Sequence, residues 1–397
     1  MNTSTVFSVP GVRLATAAAG IRKSGRQDLL LVEIAQGATT AAMFTSNAFC
    51  AAPVILARQH LNTTFPRYLL INSGNANAGT GEQGLHAAMR SCQAVAEQCA
   101  CSAEEVLPFS TGVIGEPLPV EKISAVLRQL QQHLNTDAWQ TAAQAIMTTD
   151  TVPKIVSRQI TLAGKAVTLT GIAKGAGMIR PNMATMLSFL ATDAKLDKTT
   201  LQNCLRNSVN KSFNRITVDG DTSTNDAVVL MATGNSGVQI QAGELAAFQT
   251  LLDEVCVELA RAIVRDGEGA TKLINIVVEQ GTDEQECARV AYAIAHSPLV
   301  KTAFFASDPN WGRILAAVGY AGVDSLDINK IQIYLDQVCI VKDGGRASSY
   351  TEEQGRQVMQ QTEITIRVVL QRGKATTTVW TCDFSYDYVK INAEYRT

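Results

Sequence analysis

The apolar residues of this chain come in short runs, and that habit limits the fold more than any other feature. "DLLLVEIA" (28–35), "RYLLINSG" (67–74), the apolar stretch Leu187 to Ala191, "AVVLMATG" (227–234) and residues 274–280 are each of strand length. Such runs suit strands covered on both faces. Between them lie segments with helical spacing. "GLHAAMRSCQAVAEQCA" (84–100) places Leu85, Ala88, Met89, Cys92 and Val95 on one stripe. Further helices are expected near 120–134, 137–148, 197–211, 243–265 and 283–296. "KIVSRQITLAGKAVTLTGIAKGAGM" (154–178) reads as a hairpin turning at Ala163-Gly164 and running into a glycine-rich loop. "FNRITVDGD" is expected to pair with "AVVLMATG", and "EITIRVVL" with "ATTTVWTCDF" in a hairpin turning at Gln371-Arg372-Gly373. "LPFSTGVIGEPLP" (107–119) reads as a loop. Strands and helices alternate irregularly, so the expectation is a layered α/β or α+β body rather than a regular doubly wound sheet.

The composition suits a globular, soluble chain rather than a nucleic-acid or membrane protein. The chain has 397 residues, 46% of them hydrophobic and 18% charged, with a net charge of −2. That length allows a sizeable core in one large or two to three ordinary domains. The charge balance leaves no footprint for nucleic acid or an anionic membrane surface. No run of about 18 apolar residues is present to span a bilayer. The start, "MNTSTVFSVPGVRLATAAAGIRKSG", lacks the pattern of a signal or transit peptide, so a cytoplasmic location is expected. The nine cysteines are scattered, with no CxxC, and read as reduced thiols. The four histidines stand apart from one another and from any cysteine pair, so no metal site is expected.

Several motifs invite chemistry and most decline it. "GEGATK" (267–272) misses the phosphate-loop pattern and reads as a glycine loop carrying Glu268. "DGDTSTND" (219–226) has Thr224 where a calcium loop needs glycine and Leu230 where it needs glutamate. Lys174 in "KGAGM" is by default a solvated loop lysine, and "STGVIG" (110–115) is a small-residue loop whose N–H groups suit an oxyanion. Thr185 in "RPNMATMLSFLATDA" (180–194) is the residue that stands out. A threonine at a strand start is ordinarily structural. Behind the small Ala184 and the glycine-supported "KGAGMIRPN", it also suits self-cleavage: its hydroxyl attacks the Ala184 carbonyl, and hydrolysis of the resulting ester frees a new N-terminus. A threonine that carries its own α-amine as base needs no histidine.

The chain resembles the glutamate N-acetyltransferase family, also called ornithine acetyltransferases, of arginine biosynthesis. The carriers are "AAGIRKSGRQDLLL" (18–31), "NSGNANAGTG" (72–81), "STGVIG" (110–115), "MTTDTVPK" (147–154), "GIAKGAGMIRPNMATML" (171–187), "FNRITVDGDTSTND" (213–226), "VRDGEGATK" (264–272), "SDPNWGR" (307–313) and "DYVKINAEYRT" (387–397). Nine blocks in order over nearly the whole chain make the match specific.

The resemblance implies a fold like that of N-terminal-nucleophile aminopeptidases, a sandwich of β-sheets between helical layers. It implies self-cleavage between Ala184 and Thr185 into an N-terminal chain, 1–184, and a C-terminal chain, 185–397. The two would form one intertwined catalytic unit, assembled as a heterotetramer with two copies of each. Thr185 is then the nucleophile, Thr111 and Gly112 the oxyanion hole, and Thr151, Lys174, Thr185, Glu268, Asn392 and Thr397 the substrate contacts. The implied activity passes the acetyl group of N2-acetyl-L-ornithine to L-glutamate through an acetyl-threonine. No cofactor is implied. Acetyl-CoA as a second acetyl donor is compatible with the motifs and is not decided by them. The same machinery with water as acceptor would make an amidase or aminopeptidase, which is the alternative reading. Because Asn392 and Thr397 lie at the extreme C-terminus, that terminus should be tied down rather than frayed.

Overall fold

The computed structural model describes residues 5–22, 25–180 and 186–394. The chain divides into two compact units, residues 1–214 with 221–263, and residues 215–220 with 264–397. The first therefore draws on residues from both sides of the expected cleavage point.

In chain order the first unit holds β1 (Val12–Ala17), β2 (Leu29–Ile34), β3 (Thr39–Phe44), α1 (Ala52–Thr63), β4 (Tyr68–Asn75), α2 (Gly81–Cys99), β5 (Val106–Val113), α3 (Val120–Gln132) and α4 (Trp139–Ala145). It continues with β6 (Lys154–Leu162), β7 (Lys165–Lys174), β8 (Leu187–Thr192), α5 (Lys198–Lys211), β9 (Ala227–Ala232) and α6 (Ala242–Arg265), the last belonging to it as far as Ile263. One sheet runs β1-β2-β4-β5 and the other β3-β9-β8-β7-β6. They pack face to face. Leu30, Val32, Leu69, Ile71, Leu107 and Phe109 of one meet Ile172, Leu187, Phe189, Val229 and Met231 of the other. The Phe109 and Phe189 rings meet edge to face with centroids 5.1 Å apart. The odd-numbered neighbours Leu29 and Leu31 point the other way, onto Cys92 and Val95 of α2 and Ile123 and Leu127 of α3. On the far side, α5 and α6 cover the second sheet: a Cβ on Gly171 of β7 would stand 3.0 Å from Leu259 of α6. The order of layers is helix, sheet, sheet, helix. It explains why central strands such as β2, β8 and β9 are mostly apolar along their length rather than alternating, since both faces of each sheet are covered.

The second unit holds β10 (Leu273–Gly281), α7 (Glu284–Ala295), α8 (Pro298–Phe305), α9 (Trp311–Gly319), β11 (Gln332–Leu335), β12 (Val338–Lys342), β13 (Gly345–Arg346), α10 (Glu352–Met359), β14 (Glu363–Val369), β15 (Ala375–Cys382) and α11 (Tyr386–Ala393). Its sheet runs β13-β12-β11-β14-β10-β15. Ile274, Ile276, Ile333, Ile364, Ile366 and Val379 pack under Val290 and Ile294 of α7, Ile314 of α9 and Met359 of α10. The opposite face is polar, with Arg367 bonded to Glu279 at 2.8 Å and lying 3.8 Å over the Tyr334 ring. Here the strands do alternate.

Four expectations are corrected. The segment 107–119 is not all loop, because β5 continues through Thr111 and Gly112 to Val113, parallel to β4. Small residues read as a turn in sequence, but here they let two strands approach closely. "FNRITVDGD" is no strand: Phe213–Arg215 is a 3-10 turn, and only an isolated bridge links Ile216 to Trp380. β14 and β15 do not form a hairpin. β10 lies between them, parallel to β14 and antiparallel to β15. The turn at 371–373 steps across the end of β10, with the Arg372 and Gly373 amides both donating to the Gln280 carbonyl at 2.8 and 2.9 Å. Helix α1 went unseen in a sequence third read as strands and loops.

Candidate active site

Thr111 and Gly112 sit near the C-terminal end of β5, where β4 and β5 come together at paired glycines, Gly74 opposite Gly112. Gly112 has φ +133°, and a Cβ there would lie 2.3 Å from the Gly74 carbonyl carbon and 2.6 Å from the Asn75 nitrogen. Only glycine fits. A web of buried asparagines fixes this strand end. The Ser110 hydroxyl donates to Asn72 Oδ1 at 2.6 Å, and Asn72 Nδ2 to the Asn75 carbonyl at 2.8 Å. Asn225 Nδ2 donates to the Ser110 carbonyl at 2.9 Å and to the Ala76 carbonyl at 2.7 Å. Asn72 of "NSGNANAGTG" and Asn225 of the acidic loop therefore add side-chain bonds that fix the backbone at this strand end.

Lys174 is the last residue of β7 and is buried, not a solvated loop lysine. Its Nζ donates to Thr111 Oγ1 at 3.2 Å. Sixty-three positions apart in sequence, the two are brought together because β5 and β7 belong to the facing sheets. Asp150 anchors this end of β7. Its Oδ1 accepts from the Gly175 amide at 2.7 Å and from Lys154 Nζ at 2.6 Å, and its Oδ2 from the Thr148 amide at 2.9 Å. Burial pushes the Asp150 carboxyl up, but Lys174, Lys154 and the Gly175 amide outweigh it and hold it at about 2. Thr151 is exposed, one residue beyond this anchor. Asp150 and Lys154 escaped the residue-by-residue sequence reading. Their signal was available as an acid and a base four apart within "MTTDTVPK".

A second missed acid closes the acidic loop 219–226. Asp226 is fully buried, and its Oδ1 accepts from the Met186 amide at 2.6 Å. Burial drives its carboxyl well above the usual range against the opposing pull of the Met186 amide and Lys174.

In the second unit, Glu268 is buried rather than solvated, and its Oε2 accepts from Asn392 Nδ2 at 2.8 Å. Two neighbours set this pair. Asp383 Oδ1 takes the Thr271 and Lys272 amides at 2.8 and 2.9 Å, pinning the loop that carries Glu268. The Ser385 hydroxyl donates to the Gly269 carbonyl at 2.6 Å and thereby ties that loop to the start of α11. Ala184, Thr185 and Thr397 lie outside the described residues. Among the described residues no group of histidine, cysteine or acidic side chains could hold a metal. No helix among them is long and apolar enough to cross a membrane. All nine cysteines are free.

Comparison with known proteins accounts for nearly the whole chain. The ArgJ family model matches residues 13–397. The arginine biosynthesis bifunctional protein ArgJ of Pseudomonas syringae pv. tomato is 58% identical over 393 residues, covering 98% of this chain and 97% of its own. The protein of the same name from Methylococcus capsulatus is 59% identical over 392 residues, covering 98% and 96%. Among solved structures, the arginine biosynthesis bifunctional protein ArgJ of Bacillus halodurans is 43% identical with a TM-score of 0.51, covering 53% of this chain and 99% of its own. With a buried lysine on a strand-end threonine, a glycine that nothing can replace and a family match from residue 13 to the last residue, this chain belongs to the ArgJ family.

Proposed function

We propose that the protein is an acyltransferase of arginine biosynthesis that moves the acetyl group of N2-acetyl-L-ornithine to L-glutamate. Thr185 is the nucleophile: its Oγ attacks the acetyl carbonyl, ornithine leaves, and the amine of glutamate then attacks the acetyl-threonine ester. The observation that supports this most is the buried contact of Lys174 Nζ with Thr111 Oγ1 beside Gly112. A cation on the threonine hydroxyl, next to a strand end where glycine lets β4 and β5 approach closely, suits a developing oxyanion, where one donor is worth about 2.7–4 kcal/mol. Thr151, Lys174, Glu268, Asn392 and Thr397 contact substrate, with Glu268 taking the side-chain ammonium of ornithine.

The nucleophile is exposed by self-cleavage between Ala184 and Thr185. The Bacillus halodurans chain, matched over 99% of its length, accounts for 53% of this one, the size expected of a product that begins at Thr185. The two products assemble as a heterotetramer with two copies of each, in the cytoplasm, without a cofactor. The bifunctional name of the relatives supports acetyl-CoA as a second acetyl donor, which the motifs alone do not decide. The test is direct: the purified protein is mixed with glutamate and either N-acetylornithine or acetyl-CoA, and N-acetylglutamate is measured. Release of acetate with no N-acetylglutamate would instead make it an amidase of the same fold.

A further inference from the structure

Lys301 of α8 is 1% exposed, and the proposed reaction does not use it. The groups it serves lie on one short segment, the end of β15 and the turn that follows. Nζ donates to the Thr381 hydroxyl at 2.9 Å and to the Cys382 carbonyl, and it stands 4.4 Å from the centre of the Phe384 ring. The Phe384 amide donates back to the Lys301 carbonyl at 3.3 Å. A buried ammonium is costly, and an apolar side chain of the same length would avoid that cost. Burial pulls its pKa below the usual lysine value, and Cys382, Asp383 and Asp219 oppose the fall. A hydroxyl, a carbonyl and a ring face are served together only by a group that has both a charge and several N–H donors. Lys301 thus fixes the turn of residues 381–384 in a way that a core leucine could not.

That turn holds Glu268 by two routes. Asp383 takes the Thr271 and Lys272 amides, and the Ser385 hydroxyl takes up the Gly269 carbonyl, so the loop of Glu268 is pinned from both ends. Gly269, at φ +69°, permits the approach: a Cβ there would stand 2.6 Å from both Ser385 Oγ and the Tyr388 nitrogen. Along the second route the Phe384 ring stacks on the Tyr388 ring, with centroids 4.7 Å apart and an angle of 22° between the planes. The Tyr388 carbonyl accepts from Asn392 Nδ2 at 3.0 Å, the same nitrogen that donates to Glu268 Oε2. Ammonium, ring, ring and amide therefore run in series from Lys301 to the carboxylate.

We propose that Lys301 is a positioning residue that sets the preference for an acetyl donor with a side-chain ammonium: by clamping residues 381–384 it holds Glu268 and Asn392 where that ammonium is bound. The assignment rests on the reading of Glu268 as the partner of the ammonium. Lys301 touches no substrate. It acts through the Glu268 loop on one side and through Phe384, Tyr388 and Asn392 on the other. Its loss should therefore weaken recognition of the ammonium and leave acetyl transfer from an uncharged donor nearly as it was.

The test compares two donors, N-acetylornithine and N-acetylnorvaline, which has the same carbon chain without the ammonium. Donor kcat/KM, read as N-acetylglutamate formed, is measured for wild type, Glu268→Gln, Lys301→Met and the double variant. Methionine keeps the length of the stem and removes the charge and the donors. Wild type should prefer N-acetylornithine by about 10- to 100-fold, between the worth of an exposed and a buried charge pair. Each single variant should lower that preference by about 10-fold or more while staying within about threefold of wild type on N-acetylnorvaline, and the double variant should add little to either. A general loosening of the fold would slow both donors equally, so equal losses overturn the proposal. An unchanged preference in Lys301→Met overturns it too, while leaving Glu268 in its role. If Lys301→Met does not fold, Phe384→Leu, which keeps the lysine and removes the ring between it and Tyr388, decides by the same criteria. A wild type without preference, or a Glu268→Gln enzyme that keeps it, removes the Glu268 reading itself and with it the ground of the proposal.

Discussion

Gly112→Ala is the sharpest test of the proposed oxyanion strand. An alanine Cβ would sit 2.3 Å from the Gly74 carbonyl carbon, 2.6 Å from the Asn75 nitrogen and 2.7 Å from Gly74 Cα, all of them backbone. Carbon atoms rest about 3.5–4.0 Å apart, so β4 and β5 must part by about 1 Å or more. No rotamer can relieve this. Overpacking costs about 1–3 kcal/mol, and forcing a side chain into a conformation reserved for glycine adds about 1–3 kcal/mol. In a unit of this size each kilocalorie lowers Tm by about 2–4 °C, so the combined cost of about 2–6 kcal/mol corresponds to a fall of roughly 4–24 °C. Function should suffer more than stability. A displacement of about 1 Å at a positioned group costs about 100-fold in rate, and Thr111, the neighbour of Gly112, moves with it. The assay is N-acetylglutamate formation at a temperature where the variant is folded, beside a thermal melt. A variant with unchanged Tm and at least half the wild-type kcat/KM would refute the reasoning, since it would mean that the strands part freely and that their spacing does not set the site.

The layering was legible in the sequence because it follows from burial. Strands covered on both faces, such as Leu29–Ile34 and Leu187–Thr192, appear as mostly apolar runs, interrupted by Glu33 in one and Ser188 in the other, and helices such as α2 show their stripe. What the sequence hid was pairing between distant segments. No local pattern says that β10 inserts between β14 and β15, because each strand has the same apolar alternation and the turn at 371–373 looks like any hairpin turn. The site was hidden in the same way. Thr111 and Lys174 were each picked out, but their placement in a loop assumed that small residues mean a turn. In β5 smallness serves close approach to β4 instead. Asp150 and Asp226 are silent in sequence because their meaning lies in burial: an aspartate in a polar loop reads as solvated until the fold shows it enclosed.

Three further outcomes are expected. Thr185→Ala should remain a single full-length band, while wild-type protein yields a larger piece whose N-terminal sequence begins Thr185-Met186-Leu187; any other start would sink the nucleophile assignment. Glu268→Gln keeps the oxygen that accepts from Asn392 and removes the charge, so kcat/KM for N-acetylornithine should fall about 10- to 100-fold, between the cost of an exposed and a buried charge pair, with cleavage unaffected. Unchanged N-acetylornithine kinetics would show that Glu268 does not meet the ammonium. The last concerns Asp150 and acid. Its folded-state pKa of about 2 lies below the ordinary 3.8. A group depressed in this direction contributes stability that is fully present above the unfolded value and is lost as the pH falls through the folded one. The window is therefore about pH 4 down to about pH 2, and the amount about 2 kcal/mol. Asp150→Asn removes that slope. At neutral pH it also takes the carboxylate away from Lys154 and Lys174, at a cost of about 3–5 kcal/mol for breaking a buried pair. Urea melts of both proteins at pH 7, 4, 3 and 2 test this. The wild type should lose part of its advantage steadily between pH 4 and pH 2, and the gap between the two stability curves should narrow by about 2 kcal/mol. Curves that stay parallel through that window would show that Asp150 titrates alike in folded and unfolded chains, and that the lysines around it do not hold it charged.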